Sequence, residues 1–331
     1  MVRILYRNGK GVIAEAPDPA QLPELIADKS NVVWVDLPDP GADVQPDVDH
    51  ILRNVFCFHP LAIDDALVEN HVPKVDDWGE YLYIVLHAVQ FNRDLSDVDT
   101  NEVDIFVGPN YMVTHHTEEV KALERQWQLA LRDERHTKRG VDYLLYELSD
   151  QMATDYMPCM DEMDDEIDKL EDSVFEGANP RIVQRIFRLK SAVLALRRVL
   201  SPQREVLNKL ARGDFAVIDS RDRIYFRDVY DHFVRLADLN ESLRDLVSGT
   251  LDTYLSVVAN RTNEVVKTLT IVTVLFMPLT FITGFFGMNF FSDSIALSFD
   301  VAKWPFFIAA MAIMVGVPAA MLMYIRKRGW W

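Results

Sequence analysis

Between Asn263 and Asn289 small, polar and apolar side chains recur at a spacing near 3.5: Asn263, Val266, Thr270, Thr273, Met277, Thr280, Gly284 and Gly287. At a helical period this set falls on one narrow face. It ends at FFGMNFF, Phe285 to Phe291, where two apolar runs meet at an uncharged amide, Asn289. Copies of such a helix around an axis would turn the stripe into a pore wall and Asn289 into a ring of amides. Amide oxygens accept hydrogen bonds from water, so the ring would meet a hydrated dication at roughly 4–5 Å from metal to oxygen. Neutral ligands also release an ion that carboxylates would trap. From Glu264 onward there is no His or Cys, and neither apolar run holds a carboxylate. The ligands that strip and hold zinc or copper are therefore missing there. Magnesium, which dehydrates reluctantly and keeps several waters, suits such a ring. Thr and Gly also serve simply to pack membrane helices, and for the span taken alone that reading stands equally.

The stripe needs a helix in a membrane to carry it. The two charge-free runs, Thr268–Ser292 and Trp304–Ile325, are 25 and 22 residues long. Roughly 20 apolar residues cross a ~30 Å hydrocarbon core, so both qualify as spans. The N-terminus, MVRILYRNGK, has no signal-peptide pattern. Arg261 and Lys267 precede the first span and Arg326, Lys327 and Arg328 follow the second, while the connecting segment holds one Lys against two Asp. The positive-inside rule puts both termini in the cytosol and the short loop outside.

Of 51 acidic residues only Glu264, Asp293 and Asp300 lie beyond Asn263, so the first 263 residues carry 48 acids against 29 bases. A body that negative repels nucleic acid and attracts cations, although solubility alone accounts for most such charges. Cys57 and Cys159 are few and far apart, which fits a reducing compartment. The pair His115–His116 forms no H-E-x-x-H or Ser/His/Asp signal, and adjacent residues on a strand point to opposite faces, so an enzyme is not expected.

Along the chain, VRILYR, VVWVDL, YLYIVLHAVQF, VDIFVG and YMVTHH read as strands, with short helices at DVDHILRNVF and HPLAIDDALV. An α/β cytosolic domain is expected over the first 142 residues. From Tyr143 to about Ser201 the pattern is helical. Its first part has ten acids and one base between Asp155 and Glu176, with a 3–4 apolar spacing that stops at Gly177 and Pro180. A basic stretch follows as its antiparallel partner. No proline occurs between Pro202 and Pro278, and Phe233, Leu236, Asn240, Leu243, Val247, Thr250, Tyr254 and Val257 keep a spacing near 3.5. This predicts one helix from about Ile224 to Phe286, some ~95 Å long, which is too long to be buried in one subunit and belongs in an oligomer.

The stretch KTLTIVTVLFMPLTFITGFFGMNF closely resembles the first transmembrane helix and GMN signature of the CorA family of magnesium/cobalt channels. The likeness extends to HPLAIDDAL, YFRDVYDH, DLVSGTLDTYLS and RTNEVVKTLT, and covers most of the chain. It implies a funnel-shaped homopentamer in the cell (inner) membrane, surrounded by lipid. The divisions are then an α/β domain (1–142), a helical region with the acidic helix (143–223), a stalk entering the membrane (224–286), an external GMN loop (287–303), a second span (304–325) and a basic cytosolic tail (326–331). By resemblance Gly287, Met288 and Asn289 form the selectivity ring. Asn263, Val266, Leu269, Thr273, Met277, Thr280 and Gly284 would line the pore, with Met277 and Leu269 as its apolar constriction. The residue spacing itself selects Thr270 rather than Leu269. Regulatory metal sites between subunits map to Asp65 and Asp228, with Asp64 and Asp150 nearby, and Arg326, Lys327 and Arg328 match a basic ring at the cytosolic mouth.

Many members follow GMN with an acidic MPEL loop. Here the sequence is FFSDSIALSFDVAKW, in which Asp293 and Asp300 are the acids. The resemblance implies passive magnesium influx gated by cytosolic Mg2+. Cobalt and nickel hexahydrates are similar in size and remain admissible cargo. Zinc-transporting relatives share the architecture and the signature, and a membrane-anchored metal sensor is the third reading.

Overall fold

The computed structural model describes residues 2–16, 18–38, 46–67, 72–92, 97–177, 179–288 and 304–327. Seven strands form one sheet: β1 (Arg3–Arg7), β2 (Ile13–Glu15), β3 (Val32–Pro38), β4 (Lys74–Asp77), β5 (Leu82–Asn92), β6 (Asp97–Val107) and β7 (Tyr111–His116). Their order is β2-β1-β3-β7-β6-β5-β4, antiparallel throughout except for β3 beside β7. The sequence pattern predicts five of these strands. The short β2 and β4 escape it, because IAE and KVDD are too brief or too polar to show an alternating apolar face.

The β5 residues Leu82 to Ala88 are buried without alternation, as expected of a strand covered on both faces. One face carries Val33, Val35, Tyr83, Val85, Phe106 and Val113 and packs against short helices: α1 (Leu22–Ala27), α2 (Pro46–His50, continuing as a π-helical turn to Val55) and α3 (Pro60–Leu67). On the other face Trp34 meets Trp127 of α4 (Lys121–Arg132), ring centroids 4.9 Å apart. Each fully buried side chain of this size contributes roughly 1.5–3 kcal/mol. The adjacent histidines of β7 diverge as strand geometry requires. His115 Nδ1 lies 3.5 Å from Asp104 Oδ2, whereas His116 Nε2 lies 3.4 Å from Asp36 Oδ1 on the opposite face.

Two long helices follow, α5 (Val141–Glu176) and α6 (Pro180–Arg212). Both are anchored to the sheet at His87, whose carbonyl accepts from Tyr156 Oη (2.9 Å) and whose amide donates to Gln203 Oε1 (2.8 Å). α5 ends at Gly177, and α6 starts with Asn179 capping the Arg181 amide and Pro180 in the first turn. α6 continues past Ser201 and through Pro202, because buried Leu200, Val206, Leu207 and Leu210 extend its apolar face to Arg212. It stops at Gly213, whose φ of 77° favours glycine.

α7 spans Arg223–Gly287, 65 residues with Pro278 inside, where the sequence pattern predicts a helix from about Ile224 to Phe286. Two compact units share it, Met1–Tyr254 and Leu255–Trp331. In the second unit the rest of α7 lies with α8 (Trp304–Lys327), and both helices are long and apolar enough to cross a membrane. The chain is a membrane protein with an α/β body, a long helix and a C-terminal apolar helix.

Candidate functional site

Helical periodicity places the stripe, and exposure within one chain shows what the stripe leaves uncovered. Asn263, Val266, Leu269, Thr273, Met277, Thr280 and Gly284 are all exposed on α7. Leu269 and Met277 are 66% and 67% exposed among the described residues, a large apolar area on one helix. Thr270 belongs elsewhere. With Ile271 and Val274 it lines a cleft of about 660 Å³ against Val317, Ala320 and Met321 of α8. The two residues that spacing and resemblance placed in competition thus look in different directions. Leu269 lies on the open flank, and Thr270 faces the second span.

The threonine hydroxyls have a common geometry. Thr273 Oγ1 donates to the Leu269 carbonyl at 2.9 Å, and Thr280 Oγ1 donates to the Phe276 carbonyl at 3.0 Å. A hydroxyl whose single proton is given to its own backbone offers only lone pairs outward. Such a surface accepts hydrogen bonds from water and provides no charge. At the far end Gly287 closes the helix and the Met288 amide donates to the Phe285 carbonyl at 3.3 Å. Asn289 and Arg328 lie outside the described residues, while Arg326 and Lys327 occupy the last turn of α8.

A second constellation forms in the α/β unit. Among the described residues, Asp150 of α5 and Asp228 and His232 of α7 bring one ligand atom each within 4.8 Å of one another. The helices are held together here by aromatic contacts, with Tyr146 against Tyr225 (5.0 Å) and Tyr156 edge-on to Phe233 (5.4 Å). Asp228 and His232 share a face because they are four residues apart. Asp150 Oδ1 is buried, with His232 Nδ1 3.3 Å away. Burial first, and then the neighbouring Asp228 carboxylate, push the Asp150 pKa up, with His232 opposing. Two carboxylates and an imidazole converging on one point have the chemistry of a divalent cation site. His232 was not among the residues singled out by sequence reasoning, although it ends the YFRDVYDH stretch and sits at helical spacing from Asp228.

Asp64 and Asp65 are engaged separately within the chain. Asp64 Oδ1 accepts from Arg53 at 3.1 Å. Asp65 Oδ2 accepts from Lys74 Nζ at 2.5 Å, and the same ammonium lies 3.1 Å from Asp76 Oδ2. One chain therefore gathers Asp150 and Asp228 and leaves Asp64 and Asp65 on the rim of α3.

The chain thus has an α/β body whose last helix runs on into the first of two apolar helices, with a cluster of two carboxylates and an imidazole that could hold a cation. The family model described as CorA-like Mg2+ transporter protein matches residues 29–327, and the chain belongs to this family. It is 36% identical over 306 residues to the cobalt/magnesium transport protein CorA of Thermotoga maritima, covering 92% of this chain and 84% of that protein. It is 25% identical over 284 residues to the zinc transport protein ZntB of Yersinia enterocolitica, with 85% and 83% coverage. Among solved structures, the complete CorA magnesium transporter of Methanocaldococcus jannaschii superposes with a TM-score of 0.84 at 24% identity, over 99% of this chain and 98% of that one. The chain is accordingly a divalent cation transporter of the CorA family, a class of transporters and not of enzymes.

Proposed function

We propose that this chain assembles as a homopentamer that admits hydrated magnesium passively through a pore lined by α7, and that cytosolic magnesium closes it. The observation that carries the reading is the uncharged stripe of α7, with its threonine protons committed to the backbone. Lone pairs at Thr273 and Thr280 accept hydrogen bonds from the waters around an ion without stripping them. Asn289 supplies the equivalent acceptor at the entrance, beside Gly287 and Met288. Met277 and Leu269 make the narrow apolar section, where dewetting can block flow. A dication moving inward down 100 mV gains about 4.6 kcal/mol, which is sufficient drive without a coupled ion.

Closure resides in carboxylates. Asp228 and Asp150, with Asp65 and Asp64 approaching from a neighbouring subunit, would hold a divalent ion at each boundary. The bound charge offsets repulsion among the carboxylates and favours the closed ring, so magnesium limits its own entry. Arg326, Lys327 and Arg328 surround the cytosolic mouth. Cobalt and nickel are further candidate cargo, since the T. maritima relative is a cobalt/magnesium transport protein.

Flux of magnesium into liposomes holding the purified protein, with cobalt, nickel and zinc as competitors, tests the reading. Uptake without an imposed proton gradient supports a passive channel, and no uptake of any divalent ion refutes it. The ZntB likeness and the His232 nitrogen favour zinc as the second reading. That reading requires zinc uptake to depend on protons.

A further inference from the structure

β4 is an edge strand, and its first residue is tied across to α3. Lys74 and Asp76, two apart, point to one face of the strand. The ammonium of Lys74 lies 2.5 Å from Asp65 Oδ2 and 3.1 Å from Asp76 Oδ2, with the Tyr83 ring beneath it at 5.1 Å. The Tyr83 hydroxyl is itself fixed by donating to the buried Asp104 Oδ1 at 2.6 Å. The two carboxylates and Asp77 border a cleft of about 500 Å³ that includes Leu61, Val75 and Trp78.

A carboxylate this close to an ammonium is already neutralised. Any divalent ion that reaches Asp65 meets a fixed positive charge within one side chain's length. We propose that Lys74 is a built-in competitor for magnesium at Asp65: it occupies the carboxylate when metal is low and sets the cytosolic concentration at which metal takes over. This rests on the reading of Asp65 as a regulatory ligand. Lys74 acts through Asp65 and is a positioning residue. The competition has two parts. The ion must displace the ammonium from Asp65, and it must then tolerate that ammonium held nearby by Asp76 and Tyr83. For an exposed-to-half-buried site, like-charge repulsion at a few ångströms corresponds to roughly tenfold in affinity. Regulation would then sit in a range set by the chain's own lysine as well as by its carboxylates.

The test is protease protection of the full-length protein in detergent, titrated with magnesium alone. Lys74→Gln should lower the half-protecting magnesium concentration by about tenfold. Lys74→Arg, which keeps the charge, should stay within about threefold of the native value. In an Asp65→Asn background the effect of Lys74→Gln should disappear. A Lys74→Gln midpoint that is unchanged or higher, while Asp65→Asn still raises the midpoint, overturns the competitor role alone. An Asp65→Asn midpoint equal to that of the native protein overturns the regulatory reading beneath it. A Lys74→Gln shift that persists in Asp65→Asn shows the lysine acting through another group, and likewise overturns the proposal. Circular dichroism of each variant in chelator identifies a folding defect, in which case Lys74→Met, uncharged and similar in length, is titrated in its place with the same expected tenfold shift.

Discussion

His232 Nδ1 lies 3.3 Å from Asp150 Oδ1, joining α7 to α5 one helical turn beyond Asp228. The contact puts a nitrogen into a set of oxygens. Carboxylates suit magnesium, whereas an imidazole adds affinity for cobalt and other transition metals. His232→Ala should therefore weaken cobalt protection against protease by roughly tenfold, while the magnesium midpoint moves less than about threefold. Equal shifts for the two metals would show that His232 only supports Asp150 and does not ligate.

Met277→Ala and Leu269→Ala each remove apolar bulk from the exposed flank of α7. Flux at high internal magnesium should rise about tenfold in either variant if dewetting at these residues closes the path. Thr270→Val is the companion variant, since Thr270 faces α8 across the cleft, and it should leave that flux near background. Background flux in both alanine variants, with only a lowered thermal midpoint, would reduce the two residues to helix packing.

Asn289→Ala should cut magnesium uptake by about tenfold or more and leave the oligomer intact, because a methyl group cannot accept a hydrogen bond from the ion's water. Size-exclusion chromatography checks the assembly, and liposome flux checks the filter. Unaltered selectivity would overturn the assignment of Asn289 to the filter.

A fourth prediction concerns pH. Burial disfavours charge at both Asp36 and His116, but their mutual bond, with Thr114 and Arg3 at Asp36 and the Glu118 carbonyl at His116, lowers the Asp36 pKa and raises that of His116. A raised histidine stabilises fully below its unfolded value near 6.5 and loses that contribution as pH climbs through the folded value. A lowered aspartate stabilises above its unfolded value of 3.8 and loses that contribution as pH falls through the folded value. The full benefit lies between the two unfolded values and is lost progressively above 6.5, through His116, and below 3.8, through Asp36. The urea midpoint of the full chain should drop between pH 6 and pH 9, and His116→Gln should flatten that drop. A slope identical in the variant would assign the alkaline loss to other groups.

The long helix was legible because its signals are local: no proline between Pro202 and Pro278, an uncharged run, and a spacing near 3.5 that holds from Phe233 to Val257 and resumes, shifted in phase after Arg261, at Asn263. Leu269 and Thr270, between which spacing and resemblance differ, are 100° apart on the helix, and Thr270 lines the cleft against α8 while Leu269 is exposed. What escaped was decided by partners distant in sequence. KVDD has one apolar residue, and it becomes a strand because Val75 pairs opposite Ile84 on an edge. α4 has a clear helical period that competes with the strong strand signals before it, and its role rests on Trp127 reaching Trp34. Lys74 was unremarkable in sequence. Its meaning comes from Asp65, nine residues away and on another element.

The continuity of α7 also has a mechanical side. From Arg223 to Met277 the helix is about 81 Å long at 1.5 Å per residue, and no proline interrupts it before Pro278. Within the second compact unit the stretch from Leu255 to Met277 is about 33 Å long, and a two-degree tilt of that stretch moves Met277 sideways by about 1.2 Å, a little under half a water diameter.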